Sequence, residues 1–249
     1  MYAKYVHVRT LIVFVVSLFV LVVSTIPSLP ARAATREANP SNIQAQVIGF
    51  GRNDLPKIAL TFDDGPDPRN TPQILSILAQ HRAHATFFTL GQNAQQNPAL
   101  IHQITASGNA LGNHTWDHTD LTKLSPELQA KEIEQGANAM QQVTGAKPTL
   151  LRPPYGSINA SLRTEAATEH ETIIIWNVDT EDWKLPGKDA IVNNAVHNAH
   201  NGAIILMHDG GGDRAQTIQA LPEIITTLQQ RGYQLVTVPQ LLQDMHASA

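Results

Sequence analysis

Lys57-Ile58-Ala59-Leu60-Thr61-Phe62-Asp63-Asp64-Gly65-Pro66 joins an apolar run to two adjacent carboxylates and then to a Gly-Pro stop. The run Ile58, Ala59, Leu60 and Phe62 has too little alternation for a half-solvated strand and suits a strand buried on both faces of a parallel sheet. Gly65-Pro66 ends it. Two neighbouring carboxylates repel, so a pair at the carboxyl end of a buried strand points to a cation close by. For the tetrapeptide alone a solvated Asp-Asp-Gly-Pro turn is the commoner case. The rest of the chain decides between them.

Downstream, strand and helix patterns alternate. Asn70-Thr71-Pro72 starts a helix with Asn70 as its capping side chain, and Ile74, Leu75, Ile77 and Leu78 give it one apolar face. Strands are expected at Ala85 to Leu90, Ala110 to Asn113, Thr149 to Arg152, Thr172 to Trp176, Ala203 to Met207 and Gln234 to Val236. Between them fall helices at Pro98 to Ser107, Ser125 to Thr144, Ala160 to Glu169, Asp189 to Ala199 and Thr217 to Gln230. Pro239 to Met245, capped by Thr237, closes the series. About seven strand–helix units predict an α/β fold with a parallel sheet closed, or nearly closed, into a barrel.

Ahead of this, Lys4 and Arg9 precede an apolar run from Leu11 to Ile26, and Ala31-Arg32-Ala33 has the small-x-small form of a cleavage site. Residues 1–33 are read as an export signal, with an uncleaved membrane anchor as the alternative, and the location as secreted or cell-envelope. Residues 34–46 are read as a polar lead-in and 47–249 as one domain, since no linker or charge block divides them. With no cysteine among 249 residues, neither a disulfide framework nor lipid attachment through cysteine is available. The first 33 residues hold three basic groups and no acid, leaving 14 basic against 21 acidic residues, a formal −7. That balance argues against nucleic acid as a partner. A monomer is expected.

Unusual polar groups fall just past the expected strands: Asp63 and Asp64, His114 and His118, Arg152, Asp179 and Asp182, and His208. In parallel α/β folds chemistry collects at those strand ends. His114-Thr-Trp-Asp-His118 can turn two imidazoles to one point, and Asp64 adds a carboxylate. Two histidines and one carboxylate leave positions open for water and substrate. Asp63, beside a ligand but not itself one, is placed to take a proton; His208 is placed to give one; Asp179 is expected to hold His208 charged. Pairs such as His81/His84 and His197/His200 fit solvated helix surfaces. Trp116 is read as packing beneath the site.

These residues resemble the NodB-homology polysaccharide deacetylases of carbohydrate esterase family 4. Five motifs occur in order: Thr61-Phe-Asp-Asp-Gly-Pro66, His114-Thr-Trp-Asp-His118, Arg152-Pro-Pro-Tyr-Gly156, Asp179-Thr-Glu-Asp-Trp183 and Leu206-Met-His208, in a match from about Lys57 to Leu242. The resemblance implies a distorted, incomplete (β/α) barrel. It also implies a divalent metal at Asp64, His114 and His118, zinc first with cobalt or manganese as alternatives, and Asp63 as base. Arg152 would steady that base, and the backbone N–H of Tyr155, next to Pro154, would help hold the oxyanion. Trp183 and Leu206 would wall the pocket for the acetyl methyl, with His208 as acid and Asp179 its tether. The expected reaction is removal of N-acetyl groups from an N-acetylglucosamine-containing glycan, peptidoglycan or chitin-like. The rivals are an O-acetyl esterase on acetylated xylan, a non-catalytic wall-binding module and a two-histidine, one-carboxylate iron oxygenase.

Overall fold

The computed structural model describes residues 43–247; the expected export signal lies outside them, and of the lead-in only Ile43 to Gln46 is described. Nine strands occur among the described residues: β1 (Val47–Ile48), β2 (Lys57–Asp63), β3 (Ala85–Thr89), β4 (Ala110–Asn113), β5 (Leu150–Leu151), β6 (Thr172–Ile174), β7 (Val178–Asp179), β8 (Ile204–His208) and β9 (Gln234–Leu235). Among the same described residues eight α-helices connect and cover them: α1 (Thr71–Gln80), α2 (Gly91–Gln96), α3 (Pro98–Ala106), α4 (Pro126–Thr144), α5 (Ala160–Thr168), α6 (Lys188–His197), α7 (Ala215–Gln230) and α8 (Val238–His246).

Every ladder is parallel, in the order β1-β6-β5-β4-β3-β2-β8-β7, with β9 against the start of β2. The sheet therefore ends at β1 and β7 instead of closing, and the expected incomplete barrel is the fold. The stretch Lys57–Asp63 is an interior strand of it: all but Lys57 is buried, with β3 on one side and β8 on the other. Register does chemical work here, because Asp63 is paired directly with His208 across β2 and β8.

Between the sheet and α1, α3, α6 and α7 lies one large apolar cluster, including Leu60, Phe62, Phe87, Ile205 and Met207. Three elements had no legible signal. β1 and β7 are two residues long, and Gly91-Gln-Asn-Ala-Gln-Gln of α2 has one buried apolar side chain, Ala94. The expected lead-in already engages the domain at its end: Ala45 N–H donates to Arg163 O at 2.8 Å and Gln46 O accepts from Ile173 N–H at 2.9 Å. Asn70 stands at the N-cap of α1, but its side chain makes no capping hydrogen bond; Asp67 shapes the turn ahead of the helix, its Oδ1 accepting from the N–H groups of Arg69 (2.8 Å) and Asn70 (3.0 Å). Thr237 does open α8, where Gln240 Oε1 accepts from its N–H at 2.9 Å.

Candidate active site

Asp63 ends β2 and is 3% exposed. Its Oδ1 accepts from Arg152 Nη1 at 2.7 Å, and the same nitrogen donates to Thr61 Oγ1 at 2.8 Å. Arg152 is fully buried, and its guanidinium carbon lies 4.0 Å from the Phe88 ring centroid. Burial lowers its pKa, but a guanidinium starts so high that it stays charged, so Arg152 and Asp63 form a buried ion pair. Breaking such a pair costs far more than the pair contributes.

One residue on, Asp64 leaves the strand with φ 72°, a left-handed conformation that a non-glycine residue keeps only when its surroundings hold it. Thr115, His118 and Tyr155 share that region at φ 68°, 71° and 61°, so the loops that build the site are bent alike. His114 Nε2 lies 3.4 Å and His118 Nε2 3.3 Å from Asp64 Oδ1. His114 Nδ1 faces Arg152 O at 2.6 Å, which makes it the protonated nitrogen and turns the lone pair of Nε2 inward.

This cluster fits a metal ion. Ligands held at about 2.0–2.1 Å in a tetrahedral array lie about 3.3 Å apart, and Asp64 Oδ1 is buried with no hydrogen-bond donor. Asp64, His114 and His118 are the group among the described residues whose donor atoms converge for an ion. Burial would raise the Asp64 carboxyl, but His114 beside it, with His118 and His208 beyond, holds it well below the usual carboxylate range. Against burial, Asp63 and Asp64 raise the pKa of His114. His118 is lowered, by burial first and then by the charge of His114.

On the opposite rim, the fourth motif meets the fifth at His208. The carboxylate on His208 is Asp182, not Asp179: Asp182 Oδ1 lies 2.7 Å from His208 Nδ1, and its Oδ2 accepts from His208 N–H (2.9 Å) and Thr217 Oγ1 (2.8 Å). Asp179 lies on β7 and turns its Oδ1 to the N–H of Glu181 at 2.7 Å. Both stand in the Asp179-Thr-Glu-Asp182 stretch, and sequence order alone does not say which side chain points toward β8. Burial lowers the His208 pKa, but the bond to Asp182 and its charge, reinforced by Asp63 and Asp64, leave it raised.

Asp63, Asp64, His114, His118 and His208 meet in a cavity of about 350 Å³, whose wall also includes Tyr155, Trp176, Asp179, Trp183, Leu206 and Arg214. Tyr155 is 66% and Trp183 51% exposed, which leaves two aromatic faces at the mouth, while Leu206 and Pro154 are buried beneath them. Trp116 is half-buried and packs on α2, where a Cβ at Gly91 would lie 2.8 Å from its ring. Three further residues have no counterpart among the motif positions. Asp209, fully buried on Thr71 Oγ1, is pushed up to about 7, by burial first. Asn93 Nδ2 donates to Asp64 O at 2.9 Å, and Arg214 stands behind Gly210 and Gly211. The last was foreshadowed only by the run of three glycines before it.

A curled parallel sheet with an ion-binding cluster, an arginine-held carboxylate and a carboxylate-held histidine at one edge defines a hydrolase site. The family model for polysaccharide deacetylase matches residues 51–171. A peptidoglycan-N-acetylglucosamine deacetylase of Bacillus cereus is 44% identical over 191 residues, 76% of this chain and 89% of that protein. The peptidoglycan-N-acetylmuramic acid deacetylase PdaC of Bacillus subtilis is 44% identical over 184 residues, 74% of this chain but 38% of its own length. The crystal structure of the Bc1960 peptidoglycan N-acetylglucosamine deacetylase superposes with a TM-score of 0.77 at 37% identity, covering 80% of this chain and 92% of that one. The chain belongs to the polysaccharide deacetylases of carbohydrate esterase family 4, enzymes that hydrolyse amide carbon–nitrogen bonds of polysaccharides.

Proposed function

We propose that the protein is an exported, zinc-dependent deacetylase that removes the N-acetyl group of N-acetylglucosamine in peptidoglycan, giving free amine and acetate. The observation that carries this reading is the pairing of Asp63 with His208 across β2 and β8, on either side of a cavity that also holds the Asp64, His114 and His118 donors. A zinc ion held by those three would supply Lewis acidity toward the acetyl carbonyl and acidify a water. The Bacillus cereus relative, 89% of which this chain covers, is named for N-acetylglucosamine of peptidoglycan, and the basic start, apolar run and Ala31-Arg32-Ala33 suit delivery to a wall outside the cell.

Asp63 takes the proton of the attacking water on Oδ2, since Oδ1 is engaged by Arg152. The buried guanidinium keeps this carboxylate aimed. His208 spends Nδ1 on Asp182, so Nε2 is the nitrogen that hands a proton to the departing amine. The N–H of Tyr155, presented by its left-handed backbone, steadies the oxyanion. Trp183 and Leu206 exclude water around the methyl, and Asp179, placed on the wall, orients substrate instead of His208.

Acetate release tests the reading. The chain is stripped with chelator, restored with zinc, and offered peptidoglycan, an N-acetylglucosamine oligomer and acetylated xylan. Zinc-dependent release from the first two is expected, and Asp63→Asn should keep its zinc while losing about 10²–10⁴-fold in kcat. Release from xylan alone would replace the amide reading with the ester one, and a fully active Asp63→Asn would remove the base assignment.

A further inference from the structure

Arg214 stands immediately before α7 and is 5% exposed, yet it belongs to no ion pair among the described residues. Its Nε donates to Gly210 O at 2.7 Å and its Nη2 to Gly211 O at 3.1 Å. A nearly buried cation set on two carbonyls is costly if its only task is to shape a surface turn. What those glycines touch gives it another. A Cβ at Gly210 would lie 2.1 Å from Asp64 O, and one at Gly211 2.4 Å from Asp64 Oδ2, so the loop rests directly on the carbonyl and carboxylate of Asp64.

That contact sets the direction of the carboxylate. With Oδ2 against the Gly211 backbone, Oδ1 is turned toward His114 and His118, 3.4 and 3.3 Å away. From the other side Asn93 holds the Asp64 carbonyl. A left-handed aspartate needs such restraint, and a glycine loop without a brace would not provide it. Arg214 is the brace, anchored in turn at the start of the 16-residue α7.

We propose that Arg214 is a positioning residue for Asp64, fixing that carboxylate as an ion ligand through the Gly210-Gly211 backbone. The proposal rests on the metal-site reading above. Its test is zinc affinity, measured with the full chain by competition against a fluorescent chelator, with far-UV circular dichroism as the check of folding. Arg214→Met should bind zinc about 10–100-fold more weakly, the range found when a residue supporting a metal ligand is removed. Arg214→Lys, with its charge but a single donor group, should recover part of the loss, and it carries the comparison if Arg214→Met fails to fold. In an Asp64→Asn background Arg214→Met should add no further loss. Unchanged affinity in Arg214→Met, or the same fold-loss in both backgrounds, overturns the proposal while leaving the metal site standing. An unsubstituted chain that binds no zinc overturns both.

Discussion

Two adjacent aspartates do different work because the backbone turns between them. Asp63 keeps strand geometry and meets a buried arginine; Asp64, at φ 72°, swings out to meet two imidazoles. The same division of neighbours applies to Asp179 and Asp182, and it gives a prediction with a sign. His208 acts in its protonated form, and its pKa is raised because Asp182 outweighs burial. Asp182→Asn removes the largest influence opposing burial and leaves only the charges of Asp63 and Asp64 against it, so the alkaline limb of kcat against pH should move to lower pH, with a loss within about 10²–10⁴-fold. Asp179→Asn should leave that limb in place, because its carboxylate holds the Glu181 N–H and not the imidazole. A limb that moves with Asp179 and not with Asp182 would reverse the assignment. At this scale the sequence showed which residues gather at the strand ends. It could not show which of two carboxylates three residues apart turns inward, because a short turn and not a periodic element sets that.

Among the elements, β4 and α4 do most to hold the histidine loop. Asn113, the last residue of β4, donates from Nδ2 to Ile133 O (2.9 Å) and Glu171 Oε1 (3.0 Å) and accepts on Oδ1 from Thr115 N–H (3.0 Å). Glu171 is almost wholly buried, and burial pushes its carboxyl well above the usual range. α4 can lie this close because Gly136 has no side chain: a Cβ there would be 2.3 Å from Asn113 Oδ1 and 2.8 Å from Thr115 O. Glycine inside a helix costs about 1 kcal/mol relative to alanine, so propensity favours Gly136→Ala. The contacts oppose it, since one is backbone and the other is fixed by three hydrogen bonds. Net destabilisation of about 1–3 kcal/mol is expected, read as a lower urea midpoint at unchanged slope; a variant as stable as the parent would show that α4 has room to withdraw. The long helices and buried strands were legible because their apolar periods are long. α2, β1 and β7 were not, because their existence depends on neighbours: Gly91 of α2 sits where a Cβ would be 2.7 Å from Gly136 Cα, a contact with no local signal.

Across the whole molecule, an open parallel sheet brings the carboxyl ends of β2, β4, β7 and β8 to one edge, and with them the acids and imidazoles. The alternation of strands and helices made that edge readable before any coordinate, whereas strand order and register needed the three-dimensional pairing. Without a cation, the edge concentrates negative charge: Asp209 is pushed up to about 7 by burial and then by Asp64 and Asp63, and both aspartates also raise His114. Zinc should therefore stabilise the fold as well as serve the chemistry. At a free concentration 100-fold above Kd the linkage contributes about 2.7 kcal/mol, and at about 2–4 °C per kcal/mol for a domain of this size the Tm should rise by roughly 5–10 °C. Because an imidazole ligand must be neutral and His114 has a raised pKa, the increment should shrink as pH falls, starting above the pH at which an ordinary histidine protonates. Thermal unfolding with and without zinc, from pH 8 to pH 5, measures both effects. Asp64→Ala should abolish the increment, while Asp63→Asn, which leaves the three donors in place, should keep it. An increment that survives Asp64→Ala would locate zinc elsewhere, and one that does not decline with pH would separate binding from the protonation of His114.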